Sequence, residues 1–338
     1  MGMLDGKSAL VTGAGRGIGR GIARLLAAEG AQVLVNDLGA SLDGEGRDTG
    51  PAATVVREIT EAGGTAIANT SSVADFEAVE GMVHQAISAF GKLDIVVNVA
   101  GILRDRMVFN MSPEEWQAVL DVHLKGMFNT SRAASIHWRE TRAGGRLISM
   151  SSTSAFGSPG QPNYGAAKAG VIGLTLSCAA ALGRYGVTAN AILPTGSTRM
   201  IDSIPQAREA VAHTGKLPSE LAVGTPEDPE NVAPLIAFLA SDAAAGVTGH
   251  VFGSFGYAYA LMSQPKIIKA MRSERPLSVD ELVEYVPKAF GGVMEGLELE
   301  YLGPDLEALA AQHGGWVEVR PGLYYWGSKL EPYGELVW

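Results

Sequence analysis

Apolar residues along the first 255 positions follow two alternating spacings. Short continuous runs, such as Ala9-Leu10-Val11 and Val33-Leu34-Val35, stand between stretches where apolar residues recur every three or four positions, as at Ile18, Ile22, Leu25 and Leu26. A continuous run marks a strand covered on both faces. The wider spacing marks an amphipathic helix. Strands are predicted around 9–11, 33–35, 65–73, 93–101, 145–152, 187–194 and 248–256. Helices are predicted after the first strand, within 44–64, 74–91, 112–140 and 228–242, and from Tyr164 to about Leu182. Ser112 and Glu115 have the spacing of a capping box at the head of the 112–140 helix. Such alternation implies an α/β, doubly wound fold with a seven-stranded parallel sheet.

The pattern changes near residue 257. Residues 257–338 hold 7 of the 9 tyrosines and 3 of the 5 tryptophans, too much aromatic surface for a disordered tail. The expected organisation is therefore a domain over 1–256 and an aromatic-rich C-terminal extension over 257–338, packed on that domain or on a neighbouring subunit. Within the extension, 276–292 reads as a helix capped by Ser278 with Glu281, and 316–326 as a hairpin around Pro321 and Gly322. The extension either walls a substrate cleft or serves as plain packing.

Composition narrows the partners. The net charge of −10 and the lack of a long basic run argue against nucleic acid and anionic membranes. The single cysteine, Cys178, excludes an internal disulfide and reads as a small buried hydrophobe in a reducing, cytoplasmic setting. No signal peptide is read at the amino end, no apolar run is read as long enough for a membrane span, and Cys and His show no metal-ligand spacing.

Gly13, Gly17 and Gly19 follow the first strand and open a helix. Gly13 permits a tight turn, Gly17 lets backbone approach a pyrophosphate, and Gly19 lets helix pack close to strand. The helix N-terminus adds free N–H groups and a positive dipole. Asp37 ends the second strand, 24 residues beyond Gly13. A carboxylate there accepts hydrogen bonds from the adenosine ribose and repels a 2′-phosphate, which predicts NAD over NADP, although Arg16 could favour a phosphate. This is a Rossmann-type dinucleotide site.

Ser151, Tyr164 and Lys168 carry the candidate chemistry. The serine precedes the tyrosine by thirteen residues and the lysine follows it by four, on one helix face. An ammonium beside a phenol is expected to pull its pKa below ~10, so Tyr164 could exchange a proton near neutral pH. Ser151 could hold a carbonyl or alcohol oxygen. A second Tyr-x-x-x-Lys, at Tyr325 and Lys329, lacks helical periodicity around it and reads as coincidence.

Together TGAGRGIG, Asn98-Val99-Ala100-Gly101, Ser151, Tyr164-x-x-x-Lys168 and Asn190 with Pro194-Thr195-Gly196 resemble the short-chain dehydrogenase/reductases over roughly 5–255. The resemblance implies that Arg16 and Ile18 join the glycine turn at the cofactor, that Ser72 and Val73 flank the adenine, and that Asn98, Ala100 and Gly101 line the cofactor. It also implies that Pro194, Gly196 and Thr198 meet the nicotinamide end together with Tyr164 and Lys168, the lysine holding the nicotinamide ribose, and that 197–226 form a substrate lid. Where most members carry asparagine in the long helix, this chain has His123, which reads as a proton-relay partner of Lys168 or as a core histidine. VNDLG at 35–39, GILRDR at 101–106, DVHLKGMF at 121–128, GQPNYGAAK at 160–168 and GSTRM at 196–200 resemble most the 3-hydroxyacyl-CoA dehydrogenase units of the type 2 peroxisomal multifunctional enzymes and their bacterial stand-alone relatives.

The expected activity is NAD-dependent interconversion of a secondary alcohol and a ketone. The expected substrate is a 3-hydroxyacyl-CoA with a bulky acyl group; the alternatives are a hydroxysteroid or other cyclic alcohol, and a non-catalytic NAD(H)-binding scaffold. Arg104 and Arg106 could meet a CoA phosphate or pair with nearby acids. Trp116, Phe128 and Trp138 suit packing or subunit contact, and the resemblance implies a homodimer at least.

Overall fold

The computed structural model describes residues 2–203, 205–265, 270–271, 273 and 275–294, and the strands at 317–320, 323–326 and 329–332. The chain forms two compact units, Met1–Ser263 and Gln264–Trp338.

The first unit begins with β1 (Ser8–Thr12), α1 (Gly17–Ala28), β2 (Gln32–Asn36), α2 (Gly50–Glu61), β3 (Thr65–Asn69), α3 (Phe76–Phe90) and β4 (Ile95–Asn98). It continues with α4 (Pro113–Leu120), α5 (Gly126–Thr141), β5 (Gly145–Met150), α6 (Pro162–Leu182) and β6 (Val187–Pro194). Three short helices follow: α7 (Arg199–Asp202), α8 (Pro205–Thr214) and α9 (Pro218–Leu221). The unit ends with α10 (Ala233–Ala240), β7 (Val251–Phe255) and β8 (Ala258–Leu261). Strand order is β3-β2-β1-β4-β5-β6-β7-β8. The first seven strands run parallel. The eighth was not expected. Gly256, at φ +63°, turns the chain back, and Ala258–Leu261 pairs antiparallel with β7. The sheet therefore takes in Ala258–Leu261, which had been expected in the extension.

Alternate residues of the buried strands face opposite layers. Ala9 and Val11 pack with Ile22, Leu26, Ile236 and Leu239 from α1 and α10. Leu10 faces the other way, with Met82 and the fully buried Trp138 from α3 and α5. Each buried Val, Leu, Ile or Met among them contributes roughly 1.5–3 kcal/mol by leaving water. Trp138 also donates its indole N–H to the Leu93 carbonyl at 2.7 Å, so its one polar atom is satisfied.

The predicted 112–140 helix is broken once. Its capping box is formed by Ser112 and Glu115, but α4 and α5 are separated by a π turn at Asp121–Lys125. That turn holds His123. A second departure concerns α6. The segment Pro162–Tyr185 is long and apolar enough, by length and composition, to cross a membrane. Here it lies against β6 and β5 and carries Tyr164 and Lys168 into the site. Its outward face, Ala166, Ala169, Gly173, Ser177 and Ala180, is exposed in the single chain.

In the second unit, α11 (Val279–Met294) begins with the expected reciprocal cap between Ser278 and Glu281. Three antiparallel strands follow, β9 (Val317–Arg320), β10 (Leu323–Trp326) and β11 (Lys329–Pro332). β9 and β10 pair as a hairpin would, with Pro321 and Gly322 themselves outside the described residues. Tyr325 and Lys329 fall on two different strands, so that second motif copy is no helical pair.

Candidate active site

The strand order reverses between β1 and β4, which opens a crevice at their C-terminal ends. A cleft of about 700 Å³ occupies it. Gly13, at φ +63°, has no room for a side chain: a Cβ there would sit 2.7 Å from the Ala100 Cα. At Gly19 a Cβ would lie 2.2 Å from the Gly13 carbonyl oxygen. The glycine turn thus presses backbone on backbone and leads straight into α1, whose N-terminus carries no side-chain cap. Free amides at the base of a cradle without Cβ atoms fit a dinucleotide pyrophosphate. Asp37 stands at the rim, its carboxylate accepting from the Gly15 amide at 2.8 Å and the Gly39 amide at 2.7 Å.

Most residues expected at the cofactor border this cleft. Gly13, Arg16, Gly17, Ile18 and Gly19 line it from the turn. Asp37, Ser72 and Val73 line it beyond β2 and β3, Ala100 and Gly101 beyond β4, and Pro194 and Thr198 beyond β6. Two do not. Asn98 accepts from the Thr130 hydroxyl at 2.6 Å and donates to the Ser149 hydroxyl at 3.2 Å, tying β4 to its neighbours from behind the cleft. Gly196 packs on Pro229, where a Cβ would lie 2.8 Å from the proline Cα. Both hold walls in place.

Tyr164 sits in the first turn of α6 and Lys168 one turn later, with the ammonium nitrogen 5.4 Å from the tyrosine ring centre. Ser151, Tyr164, Lys168 and His123 all reach the cleft. The electrostatics differ from expectation. Burial pushes the Tyr164 phenol above its usual pKa; a hydrogen bond with Ser152 opposes the shift and the Asp105 charge adds to it. Burial also brings Lys168 down to about 7. Its Nζ donates to the Met150 carbonyl at 2.6 Å. The lysine is thus aimed at the strand end and only partly charged at neutral pH, and burial decides the direction of the phenol's shift. Ser151 is also turned away: its hydroxyl donates to the Lys168 carbonyl at 2.8 Å. The neighbouring Ser152 opposes the rise in the phenol's pKa, while its hydroxyl oxygen accepts from the Ser154 amide at 3.2 Å.

His123 meets Tyr164 edge-on, with ring centres 5.1 Å apart and planes at 88°. The π turn adds a residue to the helix and aims this ring inward. Its Nε2 lies 2.9 Å from the Ile102 carbonyl oxygen and 3.1 Å from the Ile102 amide nitrogen, and one tautomer serves only one of them. Nδ1 is buried without a hydrogen-bond partner. Burial, then the Lys168 charge, bring its pKa to about 3. The imidazole is neutral, which disfavours passage of a charged imidazolium and suits a role in orienting the tyrosine ring.

Arg104 pairs with Glu45 and Arg106 with Glu115, so the acid-pairing alternative holds for both. Cys178 is half-buried, and burial pushes its thiol pKa up, as suits an unreactive side chain.

A doubly wound sheet with a glycine cradle at its switch point and a Tyr–Lys pair in the same cleft defines a nicotinamide-dependent oxidoreductase. The family model described as enoyl-(acyl carrier protein) reductase matches residues 13–254. The chain belongs to the short-chain dehydrogenase/reductase family, and it is an oxidoreductase acting on CH–OH groups. It is 43% identical over 289 residues to hydroxyacyl-CoA dehydrogenase ChsB1 of Mycobacterium tuberculosis, covering 82% of this chain and 84% of that protein. It is 36% identical to peroxisomal multifunctional enzyme type 2 of Drosophila melanogaster, over 90% of this chain but only 48% of that longer protein. A solved short chain dehydrogenase from Mycobacterium avium is 43% identical with a TM-score of 0.73, covering 86% of this chain and 96% of that one. Another, from Mycobacterium paratuberculosis and bound to NAD, is 29% identical with a TM-score of 0.66, covering 75% of this chain and 98% of that one.

Proposed function

We propose that this enzyme reversibly oxidises a 3-hydroxyacyl-CoA with a bulky acyl group to the 3-oxo compound, using NAD. The observation that carries the reading is Tyr164 beside Lys168 in a glycine-cradled cleft. The relative named as a hydroxyacyl-CoA dehydrogenase supports the substrate class. Apolar side chains support the bulk: Met107, Val108 and Phe109 before α4, and Ile201, Leu217, Leu221 and Val223 beyond β6, are exposed. Val223 lines the cleft itself. The four-residue Tyr–Lys spacing favours carbonyl over carbon–carbon double-bond chemistry.

Gly13, Gly17 and Gly19 would hold the pyrophosphate, and Asp37 the adenosine ribose. Hydride acceptance is the chemistry the dinucleotide supplies when bound. Tyr164 takes the alcohol proton in oxidation and returns it in reduction. Ser151, its hydroxyl turned from the Lys168 carbonyl, steadies the reacting oxygen. Lys168, released from the Met150 carbonyl and charged, favours the phenolate.

Initial rates of NADH formation test this, with a 3-hydroxyacyl-CoA and a 17β-hydroxysteroid compared side by side. The CoA ester should turn over faster, and NAD should outperform NADP at equal concentration. Faster steroid turnover would replace the substrate; faster NADP turnover would remove Asp37 as the selector. Tight NADH binding without turnover on any alcohol or ketone would favour a scaffold.

The reading includes a homodimer, joined through the exposed small-residue face of α6 together with Phe128 and Trp116, which are 47% and 37% exposed. Gly173→Arg should shift the sedimenting species toward the monomer mass. A wild-type chain that sediments as a monomer excludes the dimer. A cytoplasmic location fits the single cysteine and acidic surface, and recovery in a washed membrane pellet would count against it.

A further inference from the structure

Six arginines reach the neighbourhood of the cleft, and four are neutralised. Arg20 and Arg24 share Glu58 and Glu230, Arg104 pairs with Glu45, and Arg106 with Glu115. Arg16 and Arg199 differ. Both line the cleft. Arg16 donates to the Ala40 carbonyl at 3.4 Å, and Arg199 to the same oxygen at 3.0 Å, from 159 residues further along the chain. Among the described residues neither has a carboxylate in ion-pairing range. Asp37 is nearby, but its oxygens are held by the amides of Gly15 and Gly39.

Two like charges meeting on one neutral carbonyl in a half-buried cleft repel each other and lose solvation. The Arg199 pKa is pushed down by burial and then by Arg16. A bound anion would relieve both costs, and arginine forks match phosphoryl oxygens. Position selects the anion. Thr198, just before Arg199, lies with its methyl 3.0 Å from where a Cβ on Gly17 would stand. Gly17 is the point at which backbone comes closest to a pyrophosphate. Asp37 disfavours a phosphate on the adenosine ribose.

We infer that Arg199, reaching over the cleft from the β6–α7 junction, clamps the dinucleotide pyrophosphate together with Arg16. The bond to Ala40 holds the guanidinium on the far wall, and a phosphate would replace that carbonyl as acceptor. This inference rests on the nicotinamide reading above. Because Arg199 heads the segment expected to cover the substrate, the clamp also ties cofactor occupancy to the placement of that segment.

Fluorescence titration with NADH and NADPH tests the clamp in the full-length chain. Wild type, Arg199→Met, Arg199→Lys and the exposed control Arg139→Met are compared. Loss of one charge-assisted phosphate contact should raise the Kd of Arg199→Met roughly ten- to hundredfold, by the same factor for NADH and NADPH. Arg199→Lys should recover part of the loss, and Arg139→Met should match wild type. In competition, ADP should weaken with Arg199→Met while adenosine should not. Unchanged NADH affinity in both Arg199 variants overturns the clamp. A much larger loss for NADPH than for NADH also overturns it, by moving the anion to the 2′ position. Failure of the wild type to bind NADH at all sinks the nicotinamide reading, which is a separate result.

Discussion

Tyr164→Phe should lower kcat for alcohol oxidation by roughly a thousandfold, while the Kd for NADH stays within about twofold. The substitution removes one oxygen and leaves the ring where it is. That ring packs with Ile102, Val119 and Ala167 and meets His123 edge-on, contacts a phenylalanine retains. A packing failure is therefore not the expected cause of lost activity. The pH profile adds a second readout. Burial raises the phenol's pKa and a charged Lys168 opposes that rise in the working site, so the profile reports where the two balance. Oxidation needs the unprotonated form and should accelerate as pH rises toward the phenol's pKa. Reduction needs the protonated form and should slow over the same range. In Tyr164→Phe both residual rates should lose that dependence. A variant that keeps near-normal turnover, or that loses NADH affinity as steeply as kcat, removes Tyr164 from the proton-transfer role.

The sequence was most informative where chemistry is set by the backbone. Gly13 and Gly19 are legible because no other residue fits the space they occupy, and that constraint is written in residue identity. Tyr164 and Lys168 are legible because a helix converts a spacing of four into a shared face. Side-chain aim was not legible. Ser151 reaches the cleft, yet its hydroxyl points at the Lys168 carbonyl, and Lys168 points at the Met150 carbonyl. Those choices depend on which acceptors the strand end leaves unpaired. The π turn at Asp121–Lys125 was hidden too, since a single extra residue barely disturbs helical periodicity. The apolar run of α6 was underread because Lys168 lies within it, although one buried cation leaves the helix average apolar. In the sequence Arg199 stands only as part of the GSTRM stretch, with no role of its own. It becomes visible only when β6 and the loop after β2 are seen to face each other across the cleft.

His123 should make the enzyme sensitive to acid in a way that can be assigned to one side chain. Its folded pKa is about 3, against about 6.5 in an unfolded chain. Between these values the unfolded state binds a proton that the folded state refuses. Stability from this group is therefore complete above pH 6.5 and is lost as pH falls, at about 1.4 kcal/mol per pH unit. Asparagine does not titrate, so Asn at this position abolishes the term whatever constant offset it introduces. Every other acid in the protein is common to both chains and drops out of the comparison. Urea unfolding at pH 6.5, 5.5 and 4.5 should thus show wild type losing stability relative to His123→Asn, by about 2 kcal/mol across the range. Parallel slopes for the two proteins would mean that the imidazole is hydrated or charged in the folded state. The groups facing it make that outcome informative. Tyr164 presents its ring and Ile102 its backbone, while Lys168 is the charged neighbour that opposes protonation. Lys168→Met should accordingly raise the histidine pKa and shallow the slope between pH 5.5 and 4.5, below the range where Lys168 itself titrates, whereas a purely burial-driven shift would leave that slope as it was.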